Sequence, residues 1–311
     1  MRIFQLLLLG VLSVNILTSN MAFAENTSKR VAVLQSVRHP ALDATKQGLV
    51  DTLKAYDPTL VMDEAEAQGS PVLAAQLSGR MIGQNPDVVV AIPTMVAQTL
   101  KVKANNQVPL VFASVTDPMG AGLVDQNGLS DSVTGVSNFI AIEPQLELFL
   151  RIQPELKVIG MIYNPGESNS VQMVKAVQKA ALRVGLELKM MPATKTTEVG
   201  IVAKRLLSRV DAIFISNDNT ALAAMPAISN ACQQAKKPLY ASDIDIIEEG
   251  VLAVLGPNQY DIGRQAAEMV ISILEGKKVQ DLPVVYPKAV EFHLNLKVAS
   301  QIGFNVGQII Q

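Results

Sequence analysis

Apolar runs of strand length alternate with amphipathic stretches of helical length from residue 29 onward. The runs at 31–36 and 87–92 are continuously apolar, which is typical of strands buried on both faces of a sheet. In the first half, strands are predicted at 31–36, 87–92 and 109–113, and helices at 40–56, 72–82 and 95–103. Strands that alternate with helices in this way predict an α/β fold with a parallel sheet.

The second half repeats the plan. Strands are predicted at 157–163, 186–191, 211–215 and 238–241, and helices at 168–185, 199–209 and 221–235. Residues 109–117 and 238–245 are both a short strand that runs into a loop containing Ser and Asp, and residues 85–92 match 209–215 in the same manner. This duplication predicts two similar lobes that face each other, and a single large doubly wound sheet is the alternative.

The last segments belong to both halves. They comprise strands at 250–255, 284–286 and 292–294 and helices at 260–275 and 296–302. Because these pieces must be shared between the lobes, we expect the chain to cross between them more than once.

The N-terminus has the pattern of a cleavable secretory signal. Arg2 precedes an apolar run at 3–17, and Ala22-Phe23-Ala24 stands before an acidic residue. The run is shorter than the roughly 20 residues of a membrane span, although an uncleaved anchor is the alternative. The sequence predicts cleavage after Ala24 and a location outside the cytoplasm, in the periplasm.

Composition narrows the function classes. Hydrophobic residues make up 49% of the 311 residues, enough for a sizeable core in about two domains. A net charge of −2 without a basic stripe argues against a nucleic-acid partner. The single cysteine, Cys232, allows no intramolecular disulfide, and two distant histidines do not favour a metal site.

Small polar residues follow six predicted strands, three in each half. Ligands of open α/β sheets bind at the carboxyl ends of the strands, where hydroxyls, amides and carboxylates would suit a zwitterion. The segments are 38–43, 93–94, 114–118, 164–170, 217–219 and 242–245. Helix capping and turn formation explain several of these residues equally well, including Thr94, Ser168 and Asp43.

No enzyme signature stands out. The sequence has no G-x-S-x-G elbow, phosphate-binding P-loop, H-E-x-x-H or G-x-G-x-x-G motif, and no cofactor is expected. His39 followed by Asp43 could act as a general base, but a histidine near a helix start is more often a packing residue. The sequence favours a binding protein over an enzyme.

Six segments carry a resemblance to the substrate-binding proteins of ABC importers, in the group that binds tryptophan, tyrosine or phenylalanine. The segments span the chain in order at 39–43, 91–94, 111–124, 133–136, 162–170 and 258–263. Pro93 departs from the small residue that many relatives have there. The resemblance implies a type I periplasmic-binding-protein fold, with two Rossmann-like lobes joined by a three-crossing hinge.

The same resemblance implies the lobes and the crossings. The first lobe would comprise residues 29–140 with 257–283, and the second residues 141–256 with 284–311. Crossings are expected near 138–142, 255–258 and 282–286.

The resemblance also implies a ligand site. Thr94, Ser114 and Thr116 would hold the carboxylate of an amino acid, and Asp243 its ammonium group. The cleft would be completed by Asp117, Asn164, Glu167, Asn169, Ser170 and Asn217, with His39, Asn219, Asp245 and Tyr260 at its rim.

Three roles compete. The first is an importer receptor that closes on an aromatic or other hydrophobic amino acid and docks as a monomer on a membrane permease. The second is a receptor of the same fold that feeds a membrane sensor, and the third is a secreted enzyme that uses His39 and the acidic loops. Sugars, purines and branched-chain amino acids stay open as ligands, but the absence of tryptophan excludes a sugar platform built on indole rings.

Overall fold

Two sheets organise the chain in the computed structural model, which describes residues 28–305. The predicted signal peptide at 1–24 lies outside the described residues. The first half forms β1 (Arg30–Gln35), α1 (Pro40–Tyr56), β2 (Val61–Glu66), α2 (Pro71–Gly83), β3 (Val88–Ile92), α3 (Thr94–Ala104), β4 (Leu110–Val115) and β5 (Val133–Ser137). These strands pair in parallel in the order β2-β1-β3-β4-β5.

The second sheet has the order β11-β10-β9-β8-β6-β7. Its elements are α4 (Ile142–Ile152), β6 (Val158–Tyr163), α5 (Ser168–Val184), β7 (Glu187–Pro192), α6 (Thr196–Leu207), β8 (Ala212–Ile215), α7 (Asn219–Leu222), α8 (Met225–Ala235), β9 (Leu239–Ala241), β10 (Ala253–Gly256), α9 (Gln259–Leu274), β11 (Glu291–Leu294) and α10 (Leu296–Ile302). The edge strand β11 runs antiparallel to β10, and the other pairs in this sheet are parallel. The predicted α/β fold with two lobes is confirmed, and a single sheet is excluded.

Helix α9 returns to the first sheet. Its apolar residues Ile262, Ala266 and Val270 share a core with Leu49 and Leu53 of α1. We therefore call the first sheet with α1–α3 and α9 the first lobe, and the second sheet with α4–α8 and α10 the second lobe. The chain passes between the lobes at 138–141, at 257–258 and at 286–290.

The third passage starts after an isolated parallel bridge between Val136 and Val285. This bridge stands where the sequence predicts a strand at 284–286. It lies two residues past the predicted lobe boundary at 283, and the boundary itself stays a prediction.

Four elements differ from the sequence predictions. β2 was not predicted because it is a partly exposed edge strand in which three of the six residues are acidic. β5 and α4, which flank the first crossing, were not predicted either. The predicted helix at 221–235 is two helices, because Pro226 lacks the N–H that a continuous helix needs and opens α8 instead.

Within residues 28–305, no helix combines the length and hydropathy that a membrane span requires.

Candidate functional site

A narrow polar cavity lies between the two lobes at the carboxyl ends of their strands. Its lining side chains are His39, Ala41, Leu42, Pro93, Ser114, Thr116 and Gln259 from the first lobe, Asn138 from the first crossing, and Asn169, Asn217, Asn219, Leu222 and Asp243 from the second lobe. The space between them is about 10 Å³, which is about the room that one water molecule needs. The polar walls therefore meet each other almost directly.

Ser114 is turned toward the cavity by an irregularity in β4. The register between β4 and β5 shifts between Ala113 and Val115, and Ser114 adopts a left-handed backbone with φ of 58°. Bulges of this kind re-aim a side chain at the end of a strand, and a left-handed non-glycine residue near a ligand site is a frequent functional feature. The Ser114 hydroxyl donates to Gln259 Oε1 at 2.7 Å.

Gln259 links the lobes through Asp243. Gln259 opens α9 in the first lobe, and its Nε2 donates to Asp243 Oδ1 in the second lobe at 2.5 Å. Both side chains are buried. The pKa of Asp243 is raised to about 7, because its burial, together with the nearby Asp245, outweighs the lowering effect of the Gln259 amide.

A second group of cross-lobe bonds joins Asn217 to the first lobe and the hinge. Asn217 Nδ2 donates to Thr116 Oγ1 and to Asn138 Oδ1, each at 3.2 Å. Thr116 also donates to Asn138 at 3.2 Å. The residues that follow β4 and β8 thus form one buried cluster with Asn138 of the first crossing.

His39 and Asn219 close a third contact, with 3.3 Å between Nε2 and Oδ1. His39 caps the N-terminus of α1, where its Nδ1 accepts the N–H of Leu42. Burial lowers the pKa of His39 to about 4, so the ring is neutral at physiological pH. A neutral ring that accepts at Nδ1 carries its proton at Nε2 and donates it to Asn219.

Glu167 orders the second-lobe wall from behind the cavity. Its carboxylate accepts the N–H groups of Asn219 and Thr220, the Asn219 amide at 2.7 Å and the Thr220 hydroxyl at 2.6 Å. These bonds fix the start of α7 and the Asn219 side chain. A neighbouring buried acid, Asp218, accepts from Ser170 and from the N–H of Asn164, and burial raises its pKa.

Half of the residues that the sequence predicts for the site line the cavity. These are His39, Ser114, Thr116, Asn169, Asn217, Asn219 and Asp243. Asn164, Glu167 and Ser170 stand behind the second-lobe wall, where they hold one another and Asp218. Thr94 is buried at the start of α3, and its Oγ1 has no hydrogen-bond partner among the described residues.

Three further predicted residues lie away from the cavity lining. Asp117 accepts the N–H of Gly120 in a surface turn. Tyr260 is exposed and donates to Asp51. Asp245 lies in the short 3-10 helix after β9, where burial raises its pKa to about 6.

Asn138 and Gln259 are the polar lining residues that the sequence did not predict for the site. Each lies next to a crossing, in a segment for which the sequence predicts a different role. The sequence predicts a hinge at 138–142, and residues 258–263 carry part of the family resemblance. A signal was present, since polar side chains beside a hinge can reach both lobes.

Within residues 28–305, no group of three or more His, Cys, Asp or Glu side chains is arranged to hold a metal ion. The side chains that line the cavity offer hydroxyls, amides, a neutral imidazole and one buried carboxyl. Such a set binds small polar ligands by hydrogen bonds and an ammonium group by charge.

Residues 30–310 match the family described as ABC transporter substrate binding protein. The chain belongs to this family. The resemblance found in the sequence is confirmed, and the fold of this substrate-binding protein is the type I periplasmic-binding-protein fold.

Relatives of this substrate-binding protein include amino-acid binders. A tyrosine-binding protein of Clostridioides difficile is 29% identical over 94% of this chain and 90% of its own length. A solved ABC domain in complex with L-Trp, from Streptococcus pneumoniae, is 30% identical and superposes with a TM-score of 0.87, covering 91% of this chain and 97% of that one.

A third relative shows how the lobes are arranged. The ligand-free, open structure of an adhesive substrate-binding protein from Clostridium difficile is 29% identical, covers 89% of this chain and 95% of that one, and gives a TM-score of 0.67. Sequence identity to the Trp complex is nearly the same, yet that complex superposes far better. The lobes of this substrate-binding protein are therefore disposed more as in the Trp complex than as in the open form.

Proposed function

We propose that this protein captures a free aromatic amino acid in the cavity between its lobes, outside the cytoplasm, and delivers it to the permease of an ABC importer. The observation that carries the proposal is the cavity itself. It places one buried carboxyl, Asp243, among hydroxyls and amides at the carboxyl ends of strands from both lobes.

The two polar ends of an amino acid match different parts of this wall. Asp243 is the partner for the ammonium group, because it is the acidic side chain among the cavity-lining residues of the described chain. The hydroxyls of Ser114 and Thr116 and the amide of Asn217 are donors for the carboxylate. Thr94, next to the lining residue Pro93, adds a buried hydroxyl that has no hydrogen-bond partner within residues 28–305.

The apolar part of the ligand has its own surroundings. Leu42, Pro93 and Leu222 line the cavity from both lobes, next to the neutral ring of His39. These surfaces suit the ring of tyrosine, tryptophan or phenylalanine. The tyrosine and tryptophan named for two relatives support the same ligand class.

Binding requires the lobes to separate. A cavity of about 10 Å³ cannot admit an amino acid, so cross-lobe contacts such as His39–Asn219 and Asn217–Thr116 must loosen before the ligand enters. Closure around the ligand would then re-form bonds through its polar groups, which shifts the open–closed equilibrium.

Calorimetry with a ligand panel tests the proposal. L-tyrosine, L-tryptophan and L-phenylalanine are compared with 3-phenylpropionate, which lacks the ammonium group, and phenethylamine, which lacks the carboxylate. We expect at least one of the three amino acids to bind. We expect each analogue to bind at least about 100-fold more weakly than L-phenylalanine, since each leaves buried polar groups unpaired. Binding of sugars in preference to amino acids would overturn the ligand assignment.

The absence of tryptophan offers an independent optical readout. Indole emission from the purified protein can come only from a bound ligand. Emission that appears on adding L-tryptophan with a shifted maximum, and that competing L-tyrosine removes, would support a single shared site.

The cellular part of the proposal has separate tests. Mass spectrometry of the exported protein is expected to show Glu25 at the N-terminus. Cells that lack the protein should lose uptake of the bound amino acid and regain it with the wild-type gene but not with Asp243→Asn. Intact uptake without the protein would favour the sensory role.

A further inference from the structure

Four buried polar side chains form a continuous chain from α1 to the second lobe. Thr45 Oγ1 lies 2.9 Å from Ser114 Oγ and 3.1 Å from Gln259 Oε1. Ser114 donates to the same Oε1 atom, and Gln259 Nε2 reaches Asp243. All four residues are at most 2% exposed.

This arrangement fixes the orientation of the Gln259 side chain. Two hydroxyls lie within hydrogen-bond distance of Oε1, so the amide presents its N–H donors on the opposite side, toward Asp243 Oδ1. Thr45 does not line the cavity and acts only through the other members of the chain. The position of Gln259 is therefore determined by first-lobe residues, while the group that it holds belongs to the second lobe.

The surroundings of Asp243 give that contact its importance. Within residues 28–305, Gln259 is the side chain that hydrogen-bonds the Asp243 carboxyl, and the charged group that acts on it is Asp245, which repels it. Helix α1 contributes the uncharged Thr45, and the lining residue His39 is neutral. Asp245 in turn faces Glu291 and His293 of β11.

We propose that Gln259 is a positioning residue for the ligand's ammonium group, because its amide holds the buried Asp243 in the ionised form that an ammonium needs. The proposal rests on the function proposed above for this cavity. Gln259 stands immediately after the crossing at 257–258, so it belongs to the first lobe yet stays close to the pivot. It thereby connects the first lobe to Asp243, the second-lobe partner of the ammonium group.

Titration of the ligand-free protein tests this role directly. With carboxyl carbons of Asp labelled with carbon-13, NMR follows the Asp243 resonance with pH in the wild type and in Gln259→Met, a replacement of similar length without donors. We expect the pKa of Asp243 to rise in Gln259→Met by about one unit, since a hydrogen bond to the ionised form is lost. Asp243→Asn assigns the resonance.

Calorimetry provides the second arm. The affinity for the amino acid is expected to fall as the pH drops below the Asp243 pKa, and Gln259→Met should move this midpoint upward and weaken binding at pH 7 by about fivefold. In the Asp243→Asn background, Gln259→Met should have little further effect, because it acts through that carboxyl.

Two further variants test whether the effects come from a general loss of structure. Thr45→Val keeps the shape and removes one hydroxyl that holds Gln259, and it should shift the Asp243 pKa in the same direction by less. Gln265→Met on the same helix removes a glutamine that bonds Asp261 away from the cavity, and it should leave the titration unchanged.

An Asp243 pKa that is the same in Gln259→Met, Thr45→Val and the wild type would overturn the proposal. So would an equal loss of affinity from Gln259→Met with and without Asp243. If no amino acid binds the wild type, the proposed function falls, and the NMR titration still decides whether Gln259 controls Asp243.

Discussion

His39 of the first lobe and Asn219 of the second are joined by a hydrogen bond of 3.3 Å between Nε2 and Oδ1. The same His39 ring caps α1 through Nδ1, and Asn219 is held from behind by Glu167. One neutral imidazole thus links the start of a first-lobe helix to the second-lobe wall. Both ring nitrogens are used, so protonation at Nδ1 would break the cap.

The His39 ring predicts a pH dependence of stability. Its pKa is about 4 in the folded protein and near 6.5 when unfolded, because burial disfavours the charged form. The stability that the neutral ring contributes is therefore full above pH 6.5 and is lost as the pH falls through 4, at up to about 1.4 kcal/mol per pH unit. Urea unfolding of the wild type and His39→Ala between pH 7.5 and 4 measures this slope.

The buried Asp243 acts with the opposite sign in part of this range, because its raised pKa stabilises the fold at lower pH. The relevant quantity is therefore the difference between wild type and His39→Ala at each pH. His293→Ala, at an exposed histidine, is the matched control for the removal of a histidine. An unchanged slope in His39→Ala would contradict the prediction.

Asp243→Asn should weaken amino-acid binding by about 2–3 kcal/mol, or roughly 30- to 140-fold, because a buried ammonium group loses its charged partner. Calorimetry at pH 8, where Asp243 is ionised, gives the largest effect. Asp125→Asn removes an acid that orders a surface turn, and it serves as the control. Equal affinities for Asp243→Asn and the wild type would remove Asp243 from the site.

The close approach of α1 and α9 predicts a severe effect of Gly263→Ala. A Cβ atom at Gly263 would lie 1.8 Å from the Thr45 backbone oxygen, so the helices would have to move apart. We expect a loss of about 3 kcal/mol in the free energy of unfolding and weaker ligand binding, since Thr45 and Gln259 would separate. Thermal and urea unfolding measure the first effect and calorimetry the second.

Gly79→Ala is the control for this substitution. Gly79 lies in α2 with open space around the Cβ position, so alanine there should stabilise the protein by about 0.5–1 kcal/mol through its higher helix propensity. Similar stabilities of the two variants would mean that the α1–α9 packing tolerates a methyl group.

Asn217 is expected to influence the open–closed equilibrium. Its amide donates to Thr116 and Asn138 across the cleft, and Asn217→Asp replaces those donors by a carboxylate. A charged acceptor facing the Asn138 oxygen disfavours closure, so the ligand-free variant should have a larger radius of gyration by small-angle X-ray scattering. A radius equal to that of the wild type would show that these bonds do not hold the lobes together.

Local patterns were sufficient for most of the fold. The helices α1 and α10 have the bounds that apolar spacing predicts, and buried strands such as β3 differ by a single residue. The edge strand β2 was not predicted, because its partly exposed acidic residues lack the apolar run of a central strand. Pro226 could have indicated the break before α8.

The candidate site was harder to predict than the fold. Polar residues after strands identified Ser114, Thr116, Asn217 and Asp243, because the carboxyl ends of parallel strands converge. The same rule wrongly indicated Asp117, whose carboxylate accepts the Gly120 N–H in a surface turn. A side chain's place in the chain does not say whether it points into the cleft or stabilises a loop.

The sequence by itself determined the alternation of strands and helices, the duplication into two lobes and the family, since these depend on local periodicity and on ordered motifs. Only the tertiary structure decided that Gln259 and Asn138 belong to the cavity, and that His39 pairs with Asn219. These contacts join residues far apart in the chain and in different lobes. Their geometry depends on how the crossings bring the two sheets together, which no local pattern encodes.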